Sequence, residues 1–543
     1  MNRLAKGPSF WAAFTLAAVV LAFAGCAGHV EVPESSPFRG STLPPYDALV
    51  RHNLLDPTTQ GLELIREEAP DDDVVRLMNE GLFLHRMGRY EESNVALQRA
   101  EAIATSRYGL SLGQDLASLV LNDEVLDYQA SALERSMIHY YGIMNYVALG
   151  DREGALTEAR RANALLRRYA NDFPNRSFVN DAAVQYLAGM LQWGQREEND
   201  AIVSLRQSLA GYEDYEVRYG VSAPVPIAVD AARIAQAVGL QDVAEETRTK
   251  YLLGRETEAD EPGRSAVEGD VLLIVENGFI AHKRQQKLFM PILRSERDAV
   301  LAGNAGSAIE AAVRVLVRTV VVMNEMSRQG QAYVQEHEDG VTLVSGALSA
   351  VGVELITMAW PVYELDTRRA DQVRVIGPDG RSLTPTLVED LSAIAVRDFE
   401  ERKTPMLLRM TARTLLKEVG VIQSERAGER AGGALGGFAA RVAARAVANA
   451  TERADTRSWS GLPAELLLTR LRLPAGEHEI EVAYEGIRGP ERQTVRVDVR
   501  PGSVTLRSVA VVGRGGGDRN RFRQARTNVK YEVPPTKSRR APG

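Results

Sequence analysis

The chain has 543 residues, 45% of them hydrophobic and 25% charged, with a formal net charge of −7. These figures exclude a disordered chain and a polytopic membrane protein, and the mildly acidic balance gives no reason to expect nucleic-acid binding. At about 150 residues per domain the length predicts three or four domains, with one cysteine for all of them.

Residues 1–25 read as a signal peptide. Arg3 and Lys6 make a basic start, Phe10 to Ala24 is a charge-free apolar run, and Gly25-Cys26 closes it. The run is shorter than the roughly 20 residues that cross a bilayer. The stretch LAFAGCAG resembles a bacterial lipobox, with Phe23 where leucine is commoner. The resemblance implies lipidation at Cys26 and, since Ala27 is not aspartate, an outer-membrane address facing the periplasm. Residues 26–70 read as a tether, rich in Pro, Ser and Gly.

Helix signals dominate from 71 to 255. The unit LMNEGLFLHRMGRYEESNVALQRAEAI resembles a tetratricopeptide unit: Leu77, Gly81 and Leu84 share one face, Gly88 and Tyr90 form the turn, and Ser93, Leu97 and Ala100 face back. In YGIMNYVALGDREGALTEARRANALL, Tyr146, Gly150, Ala155, Ala159 and Ala162 repeat the spacing, with Ile143 in the glycine slot. A third unit, around Tyr186, is looser, because Gly194 to Ala201 is two residues too long. A fourth helix pair, near 227–251, has no clear signature. Stacked units of this kind form a solenoid with a concave groove, and Leu77, Gly81, Leu84, Tyr90, Tyr146 and Tyr186 are the candidates for lining it. GLSLG at 109–113 matches a nucleophile elbow in its letters, but its helical flanks argue against Ser111 as a nucleophile.

An acidic linker, 256–268, precedes a mixed strand and helix domain, 269–418. Val271–Glu276 is a buried-strand run, and Asn277-Gly278 predicts a hairpin. AIEAAVRVLVRTVVVM predicts an amphipathic helix, and helical signals return over 386–418 with a break at Pro405. The Gly/Ala-rich segment 419–455 predicts close helix packing or a hinge. In 456–513, Leu471 and Leu473 alternate with Arg470 and Arg472, Glu477–Glu485 alternates likewise, and Val495–Val499 follows. That is a small antiparallel β-sandwich-like domain with one dry and one charged face, cross-strand Glu–Arg pairs and His478 on the dry side. Residues 514–543 read as a disordered basic tail that suits either contact with an anionic surface or a plain solubilising role.

The fold expectation is therefore α + β and multidomain: a tetratricopeptide-like α-solenoid, a middle mixed region and a C-terminal β-sandwich-like domain. The order of lipobox, repeats, VENGFIAHKRQQKLFMPI, AVRDFEERKTPMLLRMTARTLLK and ATERADTRSWSGLPAE resembles an uncharacterised family of bacterial lipoproteins with tetratricopeptide-like repeats and a strand-rich C-terminal half. No catalytic residues carry over from it. The seven histidines show no metal spacing, HEDG at 337–340 reads as a turn, and neither a phosphate loop nor a cofactor motif is present. The functional expectation is a lipid-anchored envelope scaffold that binds a protein or peptide partner in the repeat groove. An envelope hydrolase, or a lipid or glycan binder, with its site between the helical and strand-rich halves is the alternative.

Overall fold

The computed structural model describes residues 33–39, 41–108, 128–172, 178, 180–253, 267–293, 295–296, 298, 314–315, 353–450 and 452–515. Cys26 and the signal peptide, Ser111, most of the predicted helix near 308–323, HEDG and the tail beyond 515 lie outside them.

Two helices, α1 (Pro45–Leu54) and α2 (Thr59–Glu67), occupy the stretch expected as a tether. Val50, Leu62 and Ile65 are fully buried there against Phe83 and Leu84, so this segment belongs to the core. Four antiparallel pairs follow: α3 (Val74–Arg86) with α4 (Tyr90–Tyr108), α5 (Ala132–Ala148) with α6 (Arg152–Asp172), α7 (Ala182–Gly194) with α8 (Glu198–Tyr219), and α9 (Val225–Ala237) with α10 (Gln241–Thr247). Side chains start three of them: Asp73 and Asp181 accept the N–H of Arg76 and Val184, and Ser131 forms a capping box with Glu134.

The turns expose the repeat more clearly than the letters do. Arg89 N–H donates to Leu84 O, Asp151 N–H to Tyr146 O, Glu197 N–H to Gln192 O and Leu240 N–H to Ala235 O. The residue before each donor has positive φ: Gly88, Gly150, Arg196 and Gly239. Arg196, at φ 66°, takes the left-handed place that glycine takes elsewhere. The third unit is thus in register when counted from Arg196 instead of Gly194, and the fourth pair shares the turn. Counted so, Ser93, Ala155, Ala201 and Ala244 occupy one equivalent position, and all four are fully buried where the paired helices meet. Gly81 and Gly189 admit Leu97 and Leu205 at distances that a Cβ would forbid, and Ile143 takes the equivalent slot in the second pair.

The strands do not follow the expected division at 418 and 456. β1 (Glu268–Asn277), β6 (Thr386–Asp390), β7 (Glu465–Pro474) and β10 (Val504–Val511) form sheet A in the order β10-β1-β7-β6. β4 (Arg374–Ile376), β5 (Ser382–Leu383), β8 (Gly476–Gly486) and β9 (Gly489–Val499) form sheet D in the order β5-β4-β8-β9. A sandwich does exist, but both of its sheets combine strands from the two segments, and β1 pairs with β10 in parallel. Asn277-Gly278 makes no two-residue hairpin. The chain leaves sheet A there and enters β2 (His282–Leu293), which pairs only with β3 (Val353–Glu364) in a two-stranded ribbon. Val271, Leu273 and Val275 face sheet D, while Leu272 and Ile274 face the helices. The molecule is therefore three layers, solenoid on sheet A on sheet D, with the main core running from helices into sheet.

One long helical element, α11 (Leu391–Ala450), begins beside Asn277, where β6 ends. Its backbone stays helical through Pro405, and the break falls at Gly432 and Gly433. The limbs run antiparallel: Gly428 meets Gly436, Arg441 pairs with Glu425 at 3.6 Å, and Arg445 pairs with Glu418 at 2.6 Å. Near its base Phe399 packs edge-on against Tyr363 of β3 and tilted against Trp360. The first limb is about 60 Å long at 1.5 Å per residue, and from Gln423 to Val442 most of the hairpin is exposed.

Candidate functional site

The side of the helical pairs expected to form a groove packs on this chain's own sheet, with Leu77 and Tyr186 in one core cluster with Leu272, Ile274 and Leu506. Leu77, Leu84 and Tyr186 are buried, and Gly81 packs on Leu97. These four of the six expected groove residues hold the body together and present no open groove. Tyr146 is half-buried and its hydroxyl accepts from Gln98. Tyr90 is half-buried at the mouth of a pocket described below.

Four polar clasps join helices to the strands and the loops that connect them, and each is a charge that a hydrophobic seam would reject unless paired. Glu276 at the end of β1 has no exposed side-chain surface. Arg86 donates to it at 2.6 Å and Tyr140 and Tyr141 at 3.1 Å. Asp270, at the start of β1, accepts from Arg470 at 2.8 Å and Arg233 at 3.2 Å. Burial pushes the Asp270 carboxyl upward, but Arg470, Arg233 and Arg472 outweigh it and hold it below the usual carboxylate value. Asp230 sits beside Arg470 at 3.0 Å and accepts from Tyr186 at 2.8 Å. Arg470 and Arg472 do alternate with leucines, but their side faces helices and not solvent. Glu134 accepts from the Trp459 N–H at 2.8 Å and from Tyr128, so the cassette after α11 docks on α5. Fully buried Arg51 donates to Asp366 at 2.5 Å, Ser460 O at 2.9 Å and Ile280 O at 2.8 Å.

One acid pair is not neutralised in this way. Glu389 of β6 and Asp181, the cap of α7, are both wholly buried. Burial first, then the neighbouring Asp181, pushes the Glu389 carboxyl well above its usual range. Burial raises Asp181 as well, against the hydrogen bond from Ser136. Both carboxyls are shut off from solvent in the described structure. Among the described residues no cluster of His, Cys, Asp and Glu is placed to hold a metal, and no helix is long and apolar enough to cross a membrane.

Sheet D carries the expected exposed pairs, Arg492–Glu481 at 2.8 Å and Arg496–Glu479 at 2.9 Å. His478 is half-buried at the sheet's end with Nε2 against Pro474 O, outside the core.

Two features of the described surface bear on function. One is a pocket of about 320 Å3 at the seam between α3, α5 and β10, bounded by His85, Arg86, Tyr90 and Met144 on the helical side and by Leu506–Ala510 on the strand side. The other is the far end of α11. There Leu435, Phe438 and Val442 are 83%, 67% and 53% exposed and share one helical face at spacings of three and four residues. Apart from Tyr90, a groove candidate that lies at the pocket instead, the sequence points to none of these residues as a site. The available signals were Gly-Gly at 432–433 with apolar residues spaced beyond it, and a charged Glu276 closing an apolar strand run.

No protein-family model matches the chain, and no curated protein matches it. Among solved structures, aspartyl phosphate phosphatase F from Bacillus subtilis is similar over 38% of the chain at 13% identity, with a TM-score of 0.26. The match spans about half of that structure's length, 49%.

Proposed function

We propose that this protein is a lipid-anchored scaffold of the bacterial cell envelope that presents the tip of α11 to a protein partner. The observation that carries the reading is the exposed apolar face of Leu435, Phe438 and Val442 at the far end of a braced helical hairpin. An apolar cluster kept out of the core, on one helix face, suits insertion into a partner's groove. Ion pairs along the stem, Arg441–Glu425 and Arg445–Glu418, support the hairpin.

The lipid anchor at Cys26 rests on the lipobox resemblance, and the geometry accommodates it. Phe38 packs edge-on against Phe279 at 5.7 Å and Arg368 donates to Pro37 O at 2.8 Å. The chain therefore enters the body at the end of sheet A from which α11 departs. The seven residue steps from Cys26 to Pro33 span at most about 25 Å. A tether there holds that end of the body close to a membrane, with the arm beside it. The repeats serve inward, clamping sheet A, and the partner contact moves outward to the arm.

The test places a photocrosslinking amino acid at Phe438 in cells. A discrete protein adduct that disappears on Leu435→Asp, with the melting temperature unchanged, is the expected result. Absence of any adduct from position 438 would overturn the arm as the contact. Palmitate labelling that is equal in wild type and Cys26→Ser would overturn the anchor.

A further inference from the structure

β10 is the outer strand of sheet A, and its free edge forms one wall of the seam pocket. Asp270 N–H donates to Ser503 O and Gly278 N–H to Val511 O. Main-chain groups alternate in direction along a strand, so the odd-numbered residues of β10 turn theirs toward β1 and the even-numbered residues turn theirs outward. Two outward carbonyls are occupied: Gln493 Nε2 donates to Ala510 O at 2.9 Å, and Arg507 Nη1 to Leu506 O at 2.9 Å. Between them Ser508 turns both its N–H and its C=O to the pocket, and neither has a partner among the described residues.

The opposite wall is built to receive polar atoms. His85 is 9% exposed, and its Nδ1 lies 2.6 Å from Asn145 Oδ1. The amide of Asn145 is oriented by donation to Ser93 Oγ at 2.9 Å and Asn94 Oδ1 at 2.8 Å, so Oδ1 is the acceptor and His85 Nδ1 carries the proton. Burial lowers the ring's pKa and keeps it neutral, which leaves Nε2 as an acceptor without a partner among the described residues. Arg86 and Arg507 are the charged residues lining the pocket, and no carboxylate lines it. Its volume lies within the ~300–1,000 Å3 typical of ligand sites.

We propose that the seam pocket takes an extended acidic segment of a partner protein as an added strand on the edge of β10. The Ser508 N–H and C=O pair with the segment's main chain. Arg507 meets a carboxylate side chain, and His85 Nε2 accepts a hydrogen bond from a peptide donor. Edge strands are templates for pairing. This edge is sheltered by helices instead of being blunted by proline or lysine. The site is separate from the α11 tip and stands or falls independently of it.

Full-length protein in detergent is titrated into a fluorescein-labelled peptide of alternating Glu and Val, with a Lys–Val peptide as the control, and anisotropy is read. The acidic peptide binds wild type and Ser508→Ala alike. Ser508→Pro removes only an outward N–H, a change edge positions tolerate, and weakens binding at least tenfold. Arg507→Glu does the same and shifts preference to the Lys–Val peptide. Unchanged melting curves establish that both variants fold, and if the proline variant does not, the charge reversal decides alone. Absence of binding by the acidic peptide, equal binding of the two peptides by wild type, or undiminished binding by a folded Ser508→Pro overturns the proposal.

Discussion

Glu389 shows how a single buried group sets a pH dependence. Tyr215 donates to its Oε1 at 3.1 Å, while Oε2 is buried with no partner among the described residues. Its pKa is raised from an ordinary 4.5 by burial and by Asp181. The folded state therefore retains a proton that the unfolded chain releases once the pH exceeds its ordinary value. The stability this provides is complete below about pH 4 and is lost as pH rises toward the raised folded value. Asp181 shifts in the same direction, and Asp47, pushed up to about 6 by burial against the pull of Arg51, adds a smaller contribution of the same sign. Glu389→Gln removes the titration while keeping the shape. It should stabilise the protein by about 1–3 kcal/mol at pH 8 and change little at pH 5, as read by calorimetry at both values. An equal shift at both pH values would show that the carboxyl does not hold its proton in the fold. Neither Glu389 nor its neighbour stands out in the sequence. A carboxylate in TLVED looks like any strand-end acid until the helix cap that faces it is known.

Elements were legible where the signal was local. Two helix pairs follow from spacing and turn glycines, the fourth has helical signals without a repeat signature, and the shifted register of the third, at Gly194, arises because Arg196 accepts a backbone conformation that glycine usually supplies. Proline is a local signal too, and at Pro405 it misleads. The penalty for a helix-interior proline is about 3 kcal/mol, and the burial of Phe399, Leu407, Met410, Val421 and Ile422 along the same limb outweighs it. The Gly/Ala-rich segment, whose composition suits either close packing or a hinge, breaks at Gly432 and Gly433 and packs closely beyond. A Cβ on Gly436 would sit 2.5 Å from Gly428 O, so the limbs touch backbone to backbone. Gly436→Val should force them apart. Spin labels at the exposed positions 426 and 439 would report a longer and broader distance distribution than in wild type, with body stability unchanged. An unchanged distribution would mean that the stem ion pairs, not the glycines, set the hairpin.

At the scale of the molecule, helices and strands share one core. Leu272, Ile274, Leu466, Leu468 and Leu506 meet the same cluster as Tyr140, Tyr186 and Tyr215. Residues 33–253 produced alone should expose that face together with Arg86 stripped of Glu276 and Asp230 stripped of Arg470, and should aggregate or lose near-ultraviolet circular dichroism. Co-production with 267–515 should restore a soluble complex. A monomeric, cooperatively melting 33–253 fragment would refute the shared core. The sequence by itself determined the helix pairs, the strand alternation and the close packing of the glycine-rich hairpin, because each depends on neighbours a few residues apart. Only the tertiary structure decided that β1 lies between β7 and β10, that Arg470 faces helices and not water, and that the repeats close on their own sheet. Those outcomes depend on contacts between residues hundreds of positions apart. Periodicity can show that a face is apolar or charged, but not what covers it.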